Sequence, residues 1–134
     1  MKVHGSCHCR RVTYEAEVDP ELAGICNCSY CQMLSGSVFR VSVPAASDRF
    51  RLLSGELTRY IKTADSGTKR CHAFCPNCGA PVFSCAATEA PPLYSLRIGC
   101  LQERADLPPK QQIWCSSALP WLRSLVDLPG RAGQ

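Results

Sequence analysis

At 134 residues, with 46% hydrophobic and 19% charged residues, the chain has the size and composition of one globular domain. Its formal charge of +4 is scattered over pairs such as Arg10-Arg11, Arg49/Arg51 and Lys69-Arg70, which argues against a nucleic-acid partner. No run approaches the roughly 18 apolar residues of a membrane span, and residues 1–6 lack the apolar stretch of a signal peptide. A cytoplasmic protein is expected, with its eleven cysteines reduced rather than stapled into a secreted disulfide scaffold.

In chain order, Cys7 and Cys9 come first. If they lie in a strand, positions i and i+2 present both thiols to one side. Residues 11–17 alternate, Val12, Tyr14 and Ala16 against Thr13, Glu15 and Glu17, and predict a strand. After Cys26 and Cys28, Ser29 is placed to cap a short helix that runs to about residue 35 and stops at Gly36. Phe39, Val41 and Val43 keep step in a strand over 37–43, which Pro44 is expected to end. Residues 50–53 and 57–62 flank Ser54-Gly55-Glu56 and read as a hairpin. Residues 65–67 form a turn, and further strands are expected at 81–86, 94–98 and 111–115. One or two helical turns fit residues 119–125. Residues 127–134, with Pro129, Gly130 and Gly133, read as a frayed tail beside a single domain over 1–126. The expected fold is mainly β, with few short helices.

Seven of the cysteines fall into three clusters: Cys7/Cys9, Cys26/Cys28/Cys31 and Cys75/Cys78. Their CxC and CxxC spacings are those of zinc ligands. Gly79, just after Cys78, can take positive φ and let the chain curl so that backbone N–H groups point at the sulfurs. The economical partition joins the two pairs into a four-thiolate site and leaves Cys26, Cys28 and Cys31 together, one ligand short. Four thiolates close a tetrahedral zinc, whereas three leave a position where chemistry can occur. Cys71, His72, His4 or His8 could still supply a fourth ligand. Loaded with two zinc ions, the sites contribute about −2 and −1, which brings the net charge to about +1. Cys85, Cys100 and Cys115 are expected as small buried hydrophobes, Trp114 and Trp121 as core, and Arg97 as a solvent-facing strand residue.

The clusters and their neighbours resemble the glutathione-dependent formaldehyde-activating enzyme (GFA) family. The matching pieces are Gly5-Ser-Cys7-His-Cys9, Cys26-Asn-Cys28-Ser-Tyr-Cys31 with Ser35-Gly36, Phe74-Cys75-Pro-Asn-Cys78-Gly79, and Ile113-Trp114 followed by Pro120-Trp121. The resemblance implies a β-tent fold of short antiparallel sheets organised around zinc. It implies a structural zinc on Cys7, Cys9, Cys75 and Cys78, and a catalytic zinc on Cys26, Cys28 and Cys31 with an open position. The activity implied is that of a carbon–sulfur lyase acting on S-(hydroxymethyl)glutathione, the adduct of glutathione and formaldehyde. The chain departs from residues common in the family at Arg10, Asn27, Gln32, Met33 and Gln112. A zinc-scaffolded protein- or nucleic-acid-interaction module is the alternative from another class, and a redox pair using Cys26 and Cys31 is a third.

Overall fold

The computed structural model describes residues 1–134. Its ten strands are, in chain order, β1 (Lys2–Ser6), β2 (Thr13–Glu17), β3 (Gly24–Cys26), β4 (Arg40–Ala46), β5 (Phe50–Ser54), β6 (Thr58–Thr63), β7 (Lys69–Phe74), β8 (Pro81–Ala86), β9 (Leu93–Arg97) and β10 (Gln111–Ile113). One α-helix, α1 (Ser29–Ser35), and several 3₁₀ turns complete the chain, so the fold is mainly β as expected. The strands make a three-stranded sheet, β1-β2-β5, and a seven-stranded sheet, β10-β3-β4-β9-β8-β7-β6. All pairs are antiparallel except β10 with β3.

Register sorts the large sheet into two unlike faces, because paired residues and residues i, i+2 share a face. One face carries Val43, Leu96, Phe83 and Ala73, which lie opposite one another across four strands. It packs on the small sheet through Phe50, whose ring lies 5.4 Å from those of Tyr14 and Phe83 and 5.0 Å from that of Tyr94. These residues anchor a core cluster of 19 buried side chains. A fully buried side chain the size of Leu96 or Phe83 contributes about 1.5–3 kcal/mol by leaving water. The other face is polar. The pairs Cys26↔Arg40, Ser42↔Arg97, Ser84↔Ser95, His72↔Ser84 and Tyr60↔His72 place all of these residues on it.

Several local expectations are corrected. The strand expected to end at Pro44 runs through it to Ala46, because β3 pairs no further along β4 than Ser42 and leaves that flank open. A residue without an N–H is tolerated at such an edge. Residues 50–62 are not a hairpin: β5 pairs with β2 and β6 with β7, in different sheets. The apolar partners of Phe50 lie across the core, and Ser54 bonds to Thr13 (2.7 Å between hydroxyls) and to the Arg11 carbonyl (3.1 Å). Gly55 makes the crossing at φ +80°, where an added Cβ would sit 2.4 Å from the Arg11 oxygen.

Cys28 rather than Ser29 caps α1; its sulfur accepts the Cys31 N–H at 3.3 Å. The helix does end at Gly36, in left-handed backbone. Trp114 and Trp121 are exposed, not core. The rings of Tyr14, Phe50, Phe83 and Tyr94 already fill the space between the sheets, and the 3₁₀ turn Pro120–Asp127 has no buried residue. Cys85 is buried as expected, Cys100 is partly buried, and Cys115 is exposed beyond the end of β10.

Candidate metal centre

Cys7 and Cys9 follow β1 in a turn, not in a strand. The Arg10 N–H closes that turn onto the Cys7 carbonyl at 3.0 Å, with Arg10 itself at φ +62°. Curling of the loop, instead of strand alternation, therefore brings the two thiols together. On the other side Gly79 adopts φ +73° and its N–H bonds the Cys75 carbonyl at 2.9 Å, the curl expected after the CxxC pair. The sulfurs of Cys7, Cys9, Cys75 and Cys78 lie within 4.8 Å of one another, with Cys7–Cys9 at 3.5 Å and Cys9–Cys75 at 3.7 Å. A tetrahedral ion with sulfur bonds of about 2.3 Å sets its ligands about 3.8 Å apart, so the spacing fits a metal.

Backbone donors serve this group as they would serve bound thiolates. The Val12 N–H reaches the Cys7 sulfur at 3.3 Å. The Arg11 N–H and the Asn77 side chain hold the Cys9 thiol down to about 6, and the N–H groups of Ala80 and Cys9 lower Cys78. Burial pushes Cys7 the other way, up to about 11. Cys7 and Cys75 belong to the core cluster, and Cys9 and Cys78 pack against it. This group is half embedded: Cys7 and Cys75 are buried, and Cys9 and Cys78 are partly exposed.

Cys26, Cys28 and Cys31 form the second group, also within 4.8 Å, and all three are only partly buried. They come from the last residue of β3, the cap of α1 and its first turn. Burial, joined by the neighbouring thiols, pushes Cys26 up to about 12. Burial also opposes ionisation of Cys28, but the Cys31 N–H and the adjacent thiols offset it, and its pKa falls. One metal site with room for an exogenous ligand is what such a group can provide.

A hydrogen-bond network fixes the loop between these cysteines. Asn27, almost fully buried, donates its N–H to the Ile113 carbonyl (3.1 Å) and its amide to the Gln112 side chain (3.3 Å) and Ile113 carbonyl (3.2 Å). The Gln32 amide donates to the carbonyls of Asn27 (2.9 Å) and Ser117 (3.0 Å). Three of the residues that set this chain apart thus act as one brace behind the three-thiol group, while Met33 points into solvent. None of the other candidate ligands joins either group. His4 pairs with Glu103 at 2.7 Å, and Cys71 lies on the apolar sheet face opposite Cys85. His8 is exposed, and His72 faces Arg97 at 3.5 Å.

Arg97 was expected in solvent and is buried, as is Arg40. Alternation does place Arg97 on the face away from the core. The arginines are recessed there because the end of α1 borders that face, and a cavity of about 490 Å³ lies between them, lined by Ser35, Gly36, Arg40 and Arg97 among others. Burial, then Arg40, brings the Arg97 pKa down to about 9, while the thiols of Cys31 and Cys26 act to raise it. Arg97 therefore lies within electrostatic reach of Cys26 and Cys31. Arginine burial was the functional feature least legible beforehand, since a lone arginine between two apolar residues carries no signal of what covers its face.

The chain is mainly β, and its two groups of thiols, one tied into the core through Cys7 and Cys75 and one partly exposed throughout, could each hold a metal ion. A family model described as glutathione-dependent formaldehyde-activating enzyme matches residues 2–117, and the chain belongs to that family. Its structure is similar to the crystal structure of a Rhodobacter sphaeroides protein, with a TM-score of 0.63 and 26% sequence identity over 84% of this chain and 99% of that one. No curated protein sequence matches the chain. No helix is long and apolar enough to cross a membrane.

Proposed function

We propose that the protein is a zinc-dependent carbon–sulfur lyase that forms or cleaves the bond between a glutathione-like thiol and a small aldehyde such as formaldehyde. The observation that carries this reading is the contrast between four converging thiols, two of them buried in the core, and the three of Cys26, Cys28 and Cys31, all partly exposed and one ligand short of a closed site. In it, Cys7, Cys9, Cys75 and Cys78 hold a structural zinc, and the other three hold the catalytic one. The bound zinc supplies a thiolate at neutral pH, where a free thiol of pKa near 8.5 is mostly protonated. Cys26, Cys28 and Cys31 hold that site at the surface, and the Asn27–Gln32–Gln112 brace keeps its three sulfurs converged. In the cleavage direction the hydroxymethyl O–H gives up its proton, the C=O bond forms, and the C–S bond breaks with its electron pair going to sulfur. The products are one thiol and one aldehyde, with the proton returned to the thiol. The reading includes a cytoplasmic enzyme with one domain over residues 1–126 and a tail over 127–134.

The test is Cys28→Ser. Wild type should bind about two zinc ions, and the variant should stay folded with one. Its turnover of S-(hydroxymethyl)glutathione should fall at least about 100-fold. Undiminished C–S cleavage by the folded, single-zinc variant would overturn the assignment.

A further inference from the structure

The sheet face that carries Cys26 also carries a group of cations with no carboxylate among them. Arg40, directly opposite Cys26, is 5% exposed, and Arg97, one strand further, is 6% exposed. Arg40 Nε and Nη2 and Arg97 Nε have no hydrogen-bond partner, and Arg97 Nη2 reaches only the His72 ring at 3.5 Å. Arg70 is engaged with the Ser84 hydroxyl at 3.4 Å, and Lys62 sits over the Tyr30 ring, 4.2 Å from its centroid. Asp65 accepts from the Tyr30 hydroxyl at 2.6 Å. None of the chain's ion pairs includes Arg40, Arg70 or Arg97.

A guanidinium has five N–H donors, no acceptor, and keeps its charge. Burying two of them side by side, unpaired, is unfavourable until an anion supplies the acceptors. Arg40 leaves free its Nε and Nη2, an edge that matches the two oxygens of a carboxylate. His72 cannot contribute a compensating negative charge, and burial followed by Arg97 and Arg40 holds its pKa down to about 4. The cavity opens beside these groups, between the end of α1 and the sheet. None of the three thiols lines it; Cys26 is paired to Arg40 across the strands, and Cys31 lies on α1, whose end lines the cavity.

We propose that Arg40 and Arg97 form a carboxylate-binding subsite beside Cys26, Cys28 and Cys31, so that the thiol handled there is one that carries a carboxylate. This rests on the reading of the three-cysteine group as the place where the thiol reacts. It makes the arginines positioning residues that set which thiol is accepted, through a contact remote from the bond that changes.

Two measurements on the zinc-loaded full chain test it. The first follows the Nε–H resonances of Arg40 and Arg97 by NMR during titration with acetate and, separately, inorganic phosphate. A saturable shift of both with acetate is expected; no response, or a response to phosphate alone, overturns the subsite. The second compares the formaldehyde adducts of 3-mercaptopropionate and 2-mercaptoethanol. Wild type should favour the carboxylate-bearing adduct by at least about tenfold in kcat/KM. Arg97→Met should abolish that preference through KM with kcat little changed. A preference that survives the substitution overturns the assignment. The acetate titration needs no turnover, so acetate binding without C–S cleavage would sink the lyase reading and leave the subsite, while cleavage without acetate binding would do the reverse.

Discussion

The two groups of thiols use the same residue in opposite surroundings. Cys7 and Cys75 sit inside the hydrophobic core, and their group joins positions 66 residues apart, Cys9 to Cys75. Cys26, Cys28 and Cys31 lie within one short segment, at the border of the polar face of the large sheet. On the proposed reading, a metal in the first group would help to hold the sheets in place, and a metal in the second would add little to the fold. The comparison teaches that ligand count is not the only difference between the groups: the four-thiol group is anchored in the core through Cys7 and Cys75, and the three-thiol group is not.

The largest expected effect separates the two directly. Structural zinc in a thiolate site contributes roughly 10–16 kcal/mol, against a domain stability of about 5–15 kcal/mol. Exhaustive chelation should therefore unfold the chain, whereas Cys28→Ser should not. Near-native sheet content by circular dichroism after complete chelation would break the comparison.

A smaller effect is expected at Asn27→Ala. The buried amide bonds to Gln112 and Ile113 would be lost at a cost of about 1–3 kcal/mol. Affinity of the three-thiol site for zinc should weaken about 10–100-fold while the four-thiol site keeps its metal. Loss of both metals together, measured by competition with a chromophoric chelator, would show that the groups are not independent.

Arg10→Gly should act in the opposite sense. Arg10 closes the Cys7–Cys9 turn in left-handed backbone, and relieving it should stabilise the protein by about 1 kcal/mol in a denaturant titration. A destabilised variant would mean that the arginine side chain supports the loop. The smallest effect belongs to Met33→Ala, on the exposed side of α1, where stability should change by less than about 0.5 kcal/mol. A larger change would show that this side of the helix supports the three-thiol group after all.

Much of this contrast could be read from residue order. CxC and CxxC spacings are local, and Gly36 and Gly79 take the left-handed backbone that their positions next to a helix end and a knuckle demand. What could not be read is long-range. Phe50 chooses partners in β2 and across the core, so the segment after it crosses between sheets at Gly55, and no local pattern announces that. Trp114 and Trp121 are large and apolar, but the core closes on four other rings before reaching them. Arg97 alternates with Leu96 and Ile98 as a surface residue would; only the pairing of β9 with β4, and of β4 with β3, brings its side of the sheet beside Cys26.

The separation of Cys9 from Cys75 also bears on the order in which metals are captured. Closing a loop of that length costs about 2 kcal/mol more than closing the five-residue span from Cys26 to Cys31. On a ribosome the short segment is complete while the partners of Cys7 and Cys9 have yet to be made. A metal can then be captured by the three-thiol group before the four-thiol group is complete, and stopped-flow refolding with limiting zinc should show the three-thiol site filling first.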